Sequence, residues 1–184
     1  MEDFASLIKT RRSVRQFTEE PLLPDEVEAI LKAGLMAPSS KNCTPWQFVA
    51  VEDKAMLTKL SQTREAGSGF LAGCSLAIVV IADVVKTDTW IEDASIAAVF
   101  MQLQAADLGL GSCWCQIRNR AVPGDSETAS QYIRDLLEIP NDYEVLCIIG
   151  LGHKTRELKP FSDERLQWDK VHIGTYRHDQ TEQA

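Results

Sequence analysis

Residues 94–108 read Ala-Ser-Ile-Ala-Ala-Val-Phe-Met-Gln-Leu-Gln-Ala-Ala-Asp-Leu, apolar on nearly every side and broken only by Ser95, Gln102, Gln104 and Asp107. A helix lying on a surface carries a polar face, so a helix spanning 89–108 with this pattern must be covered on several sides. In a chain of 184 residues, some of that cover can come from a second subunit. Gly109-Leu110-Gly111 stops the helix, and 112–117 returns as a strand. Further out lie three more strand signals. Trp46-Gln47-Phe48-Val49-Ala50-Val51 alternates aromatic and β-branched residues. Residues 75–82 form a continuous apolar run, as in a strand buried on both faces, and 143–149 form another that Gly150-Leu151-Gly152 closes as a turn.

Helical patterns occupy 3–12, 53–64 and 126–138, and Pro24-Asp25-Glu26 opens a helix ended by Ala37-Pro38. Residues 67–73 read as a mobile connection. The stretch Pro38-Ser39-Ser40-Lys41-Asn42-Cys43-Thr44-Pro45 is a polar loop between two prolines. From His153 onward the chain is polar, with isolated apolar anchors at Phe161, Leu166, Trp168, Val171 and Ile173. It cannot form its own core, and it wraps along its own surface or a partner's. The whole of 1–184 is expected to form one domain.

The net charge of −8 and the pI near 4.9 argue against nucleic acid or an anionic membrane as the main partner. Met1-Glu2-Asp3 is acidic where a signal peptide is basic, and the run Leu76 to Ala82 is too short to span a bilayer. The five cysteines form no paired secreted framework, so reduced structural thiols and a cytoplasmic location are expected. His153, His172 and His178 lack metal-ligand spacing, and no metal site is expected. There is no GxGxxG after a strand, no Walker loop and no Gly-x-Ser-x-Gly elbow. Cys43 is the sole plausible cysteine nucleophile, and nothing places a base beside it.

Lys9-Thr10-Arg11-Arg12-Ser13-Val14-Arg15 concentrates four cations in this acidic chain. Cations in the last turn of a helix complement its dipole, which accounts for Lys9 and can account for Arg11. Arg15 lies beyond the helix and Ser13 adds a hydroxyl, a set that suits a phosphomonoester, because guanidinium forks match phosphate oxygens.

Four blocks, taken in order, resemble the FMN-dependent nitroreductase family. Residues 11–17 (Arg-Arg-Ser-Val-Arg-Gln-Phe) resemble its phosphate motif, and 37–48 its flavin loop. Residues 108–114 close the long dimer helix in the same way, and 148–153 resemble its last core strand and glycine turn. The resemblance implies an α+β fold with a mixed, mainly antiparallel sheet flanked by helices, in an intertwined homodimer with FMN at the interface. It implies a tail, 153–184, that packs on the partner subunit.

Carried over by position, Arg11, Arg12, Ser13 and Arg15 would hold the ribityl phosphate and nearby hydroxyls. Pro38, Ser39, Ser40 and Asn42 would reach the flavin from the opposite subunit, and Gly150, Leu151 and Gly152 would line the ring through backbone. Either Lys159 or Arg165 would complete the phosphate site. Position 44 is Thr where the family commonly has Gln. Arg118 and Arg120 are either solvated charges or receivers of an anionic substrate or a nicotinamide phosphate.

The implied activity is hydride transfer from NADH or NADPH through flavin N5 to nitroaromatics, quinones or similar electron-poor acceptors. One open pocket shared in turn gives ping-pong kinetics, and no side chain is needed as general acid or base. The same fold could instead serve reductive dehalogenation or alkene reduction, or could bind flavin without turnover.

Overall fold

A computed structural model describes residues 3–124 and 127–176. Helix α1 (Phe4–Thr10) starts where the Asp3 carboxylate accepts from the Ser6 N–H at 3.0 Å. Helix α2 (Pro24–Leu35) has proline in its first turn, and the Glu26 carboxylate accepts from the Leu23 N–H at 2.8 Å. Asp53 caps α3 (Lys54–Ser61) and Thr128 caps α5 (Ala129–Leu137). Each cap satisfies an N–H group that the first turn leaves without a partner. Helix α4 (Trp90–Asp107) is the longest element, and Gly109 ends it with φ of +78°, a left-handed conformation that glycine adopts without steric cost.

Strands β1 (Trp46–Val51), β2 (Leu76–Asp83), β3 (Gly111–Gln116) and β4 (Tyr143–Gly152) form one sheet in the order β1-β2-β4-β3. All neighbouring strands are antiparallel. The parallel component of this α+β architecture is an isolated bridge between Ser13 and Ser112. The register slips between Val80 and Ile81, where Leu146 is the extra residue of a bulge. Its carbonyl accepts from both the Ile117 and Arg118 N–H groups.

Apolar layers cover both faces of the sheet, which is why β2 has no polar alternation. Leu76, Ile78, Val80 and Ala82 meet α2 and α4 through Ile30, Ala94, Ala98 and Met101. Ala77, Val79 and Ile81 share the other layer with Leu57, Leu60, Leu71 and Ile133.

Two expectations change. Residues 69–73 form a 3-10 helix, held because Leu71 is fully buried and the preceding Ser68 hydroxyl donates to the Ser61 carbonyl at 2.7 Å. Gly150-Leu151-Gly152 is the end of β4 and not a turn: Gly150 and Leu151 have ladder partners in both β2 and β3, and Gly152 pairs with Gly111 of β3. Glycine stands at 150 because a Cβ there would lie 2.6 Å from Cys74 Sγ and 2.7 Å from the Phe70 ring.

The tail returns to its own N-terminal segment. The Thr18 N–H donates to the His153 carbonyl at 2.9 Å and the Phe161 N–H to the Lys9 carbonyl at 2.8 Å. Beyond Leu166, Trp168, Val171, Ile173 and Tyr176 are all exposed. No helix among the described residues is long and apolar enough to cross a membrane.

Candidate functional site

The cations singled out in the sequence form one wall of a cleft of about 870 Å³. Lys9, Arg11, Arg12, Ser13 and Arg15 come from the N-terminal segment, and Leu158, Lys159, Phe161, Asp163 and Leu166 from the tail. Three attachments fix that segment. The Val14 N–H donates to the Ser112 carbonyl at 2.9 Å, Phe17 bridges Lys154, and Val14 itself is buried. Lys9 pairs with Asp163 at 2.7 Å, so its charge is met by the tail as well as by the end of α1, a partner the sequence did not suggest.

Among the described residues, no carboxylate pairs with Arg11, Arg12 or Arg15. Three guanidiniums left free beside a hydroxyl form a positive surface suited to a dianion. Cys113, on the neighbouring strand, registers that potential. Burial raises its thiol pKa, while Arg15, Arg11 and a hydrogen bond with Ser13 pull the other way.

Of the two tail cations, Lys159 lines the cleft. The Arg165 guanidinium instead lies 5.6 Å from the centre of the Phe161 ring. Gly150, Leu151 and Gly152 do not line the cleft. They sit in β4, one strand removed from Ser13, with the Leu151 side chain fully buried.

Nor does one chain bring Pro38, Ser39, Ser40 and Asn42 to the cleft. Pro38 and Ser39 lead into a 3-10 turn, Ser40–Asn42, and Lys41, Asn42 and nearby Thr44 have φ of 49°, 56° and 43°. Asparagine tolerates that region, but a β-branched threonine does not. The loop is closed on itself and tied to α4. The Thr44 N–H donates to Ser39 Oγ at 2.9 Å and the Ser40 N–H to Asp93 Oδ1 at 2.8 Å. Ser39 Oγ thus accepts internally and keeps its own hydrogen to donate outward.

Asp93 was missed in the sequence, where an acid in the first turn of a helix reads as dipole complement. Its signal was available: an acidic residue interrupting an otherwise apolar face.

Between the cleft and the loop runs the open face of α4. Ile96, Val99, Phe100 and Leu108 are 36–44 % exposed. Val99 and Leu103 share a hollow of about 470 Å³ with Phe4, Ile8, Arg11, Ser13 and Trp114. The Arg118 guanidinium lies 5.7 Å from the centre of the Trp90 ring, and Arg120 donates to the Asn119 carbonyl. No group of three or more potential metal ligands occurs among the described residues.

The cleft's donor set fits the phosphate end of a flavin mononucleotide: guanidiniums with no carboxylate partner, a hydroxyl and a lysine, open to solvent. A sequence profile of the Nitroreductase family matches residues 8–67 and 55–153. A protein of Archaeoglobus fulgidus named "Putative NADH dehydrogenase/NAD(P)H nitroreductase" is 36% identical over 178 residues, covering 94% of this chain and 98% of its own length. A solved structure of an FMN-dependent nitroreductase from Clostridium difficile is 46% identical. It superposes with a TM-score of 0.91 over 94% of this chain and 100% of its own. Iodotyrosine deiodinase 1 of Rattus norvegicus is 34% identical over 64 residues, 35% of this chain and 22% of its own length.

Proposed function

The chain belongs to the nitroreductase family, and on that premise we propose that it is an FMN-dependent oxidoreductase working as a cytoplasmic homodimer. It would take electrons from NADH or NADPH and pass them to nitroaromatics, quinones or similar electron-poor molecules. One observation carries this: the guanidiniums of Arg11, Arg12 and Arg15 meet no carboxylate among the described residues, beside Ser13 and Lys159. An acidic protein that holds three cations unpaired in one cleft keeps them for an anion.

Arg11, Arg12, Ser13 and Arg15 would hold the ribityl phosphate and nearby hydroxyls, with Lys159 favoured over Arg165 as the tail cation. Ser39, Ser40 and Asn42 would serve the cleft of a second copy across the open face of α4, Ser39 donating its hydroxyl hydrogen. Gly150 and Gly152 would act from behind, as backbone of the sheet. Bound FMN would supply the two-electron, hydride-transfer chemistry between the nicotinamide donor and the acceptor. The chain itself binds and orients, and no side chain is assigned a proton transfer.

Absorbance of the purified protein tests the first half: a flavin spectrum with FMN released on denaturation is expected, and colourless protein overturns it. Anaerobic addition of NADH and NADPH tests the second half. Bleaching followed by reoxidation with a quinone or nitroaromatic is expected, and bound flavin that neither donor bleaches would mark a flavin-binding protein without turnover. Light scattering should give twice the mass of 20.5 kDa. The short match to a deiodinase keeps reductive dehalogenation as a second acceptor chemistry, checked by halide release from a halogenated phenol under the same conditions.

A further inference from the structure

Asp93 is 3 % exposed, in the first turn of α4. Its Oδ1 accepts from the Ser40 N–H at 2.8 Å and its Oδ2 from the Thr89 hydroxyl at 3.2 Å. Among the described residues no cation pairs with it, so this buried carboxylate is met by one backbone N–H, one hydroxyl and the positive end of the α4 dipole. Thr89 is fixed in turn, its Oγ1 lying 2.8 Å from Thr87 Oγ1.

The segment that Asp93 grips is strained. Lys41, Asn42 and Thr44 all lie in the left-handed region, and such backbone persists only where its surroundings over-determine it. The internal bond from Thr44 to Ser39 closes the loop but does not attach it to the molecule, and Lys86 reaches the Thr44 carbonyl only at 3.4 Å. The short charge-assisted bond from Ser40 to Asp93 attaches it to the rigid start of the longest helix.

We infer that Asp93 is a positioning residue for flavin binding, locking the 39–44 loop in the conformation that presents Ser39, Ser40 and Asn42. This rests on the loop meeting the flavin, as proposed above. Asp93 does not touch the cofactor and acts through the Ser40 amide. An asparagine would keep the acceptor for Ser40 and could donate its amide to Thr89 Oγ1, whereas alanine would keep neither bond.

The test compares parent, Asp93→Asn and Asp93→Ala as purified yellow protein. FMN release on dilution is followed by recovery of flavin fluorescence, alongside hydrogen exchange of the 39–44 amides and the thermal midpoint. Asp93→Ala should release FMN about tenfold faster or more, with a similar acceleration of exchange in the loop, while Asp93→Asn stays within about threefold of the parent in both. If Asp93→Ala does not fold, Asp93→Ser keeps a hydroxyl in the buried site but is too short to span to Ser40, and should behave as alanine does. Unchanged loop exchange in the alanine or serine variant would overturn the role of Asp93 while leaving FMN binding intact. Faster loop exchange with unchanged FMN release would overturn it by showing that the loop does not meet the flavin. A parent protein that holds no FMN would instead sink the cofactor assignment itself.

Discussion

Replacing Gly150 with alanine separates two reasons for a glycine at that position. The added Cβ would lie 2.6 Å from Cys74 Sγ, 2.7 Å from Phe70 Cε2 and 3.0 Å from Leu71 Cδ2. Cys74 and Leu71 are fully buried, and the backbone at 150 is paired to Ala77 on one side and Cys113 on the other, so neither the strand nor the wall can step aside freely. Overpacking of a tight core costs about 1–3 kcal/mol, and three simultaneous contacts place Gly150→Ala at the upper end, about 2–3 kcal/mol. For a chain of this length that is a fall of roughly 5–10 °C in the thermal midpoint. The midpoints in urea and on heating should be measured at saturating FMN and again after its removal. A steric clash requires the loss in both conditions. A glycine kept only so that a ring can approach the backbone would leave the flavin-free protein unchanged and weaken FMN retention alone. An unaltered urea midpoint without flavin would refute the steric reasoning. Adding Cys74→Ala removes the nearest of the three contacts and should recover about 1 kcal/mol relative to additivity.

Arg11→Ala should weaken FMN retention by about tenfold or more, since a hydrogen bond to a charged group is worth ~1.5–3 kcal/mol; equal affinity by fluorescence titration would remove Arg11 from the site. Lys159→Ala should weaken FMN retention more than Arg165→Ala, because Lys159 lines the cleft while Arg165 lies over Phe161; the reverse order in the same titration would exchange their roles. Stability should fall in alkali. Burial pushes the Cys74 thiol from an ordinary 9.0 to about 12 and the Cys115 thiol to about 11, so above pH 9 the unfolded chain releases protons that the folded chain keeps. The folded state then loses about 1.4 kcal/mol per thiol between pH 8 and pH 10. Urea midpoints that stay flat across that interval would contradict it, and Cys74→Ala should flatten the slope in part.

The sequence is most informative where one residue's surroundings are its near neighbours. Asp53 and Thr128 cap helices three residues on, and the apolar run at 75–82 announces a strand with no solvent face. Legibility fails where meaning depends on a distant partner. Gly150 and Gly152 read as a turn because glycine marks both positive φ and close approach, and the groups that demand close approach, Phe70, Cys74 and Phe17, are far away in sequence. Nor does anything local name Trp90 as the neighbour of Arg118. The cations that the structure gathers in one cleft were legible as a cluster, the unusual feature being composition over seven residues. The loop half showed in the sequence as a polar stretch between prolines, but its left-handed residues and the carboxylate that holds them did not, for Asp93 lies 53 residues from Ser40.

The lacing of the tail onto the first turns has a consequence for how the protein is made. Lys9 and Asp163 are 154 residues apart, and Lys159 faces Arg11 and Arg15 across the same cleft. Synthesis proceeds from the N-terminus at about 5–20 residues per second, so the arginines leave the ribosome roughly 7–30 s before the lysine that faces them. During that interval they sit on an unfinished chain, exposed to the phosphates of ribosomal RNA. Their acidic neighbours Asp3, Glu19 and Glu20 accompany them from the start and offset that attraction. On the proposed assignment, cofactor loading would be one of the last events in the protein's maturation, and a ribosome that stalls before residue 159 would leave a nascent chain with only one wall of the cleft.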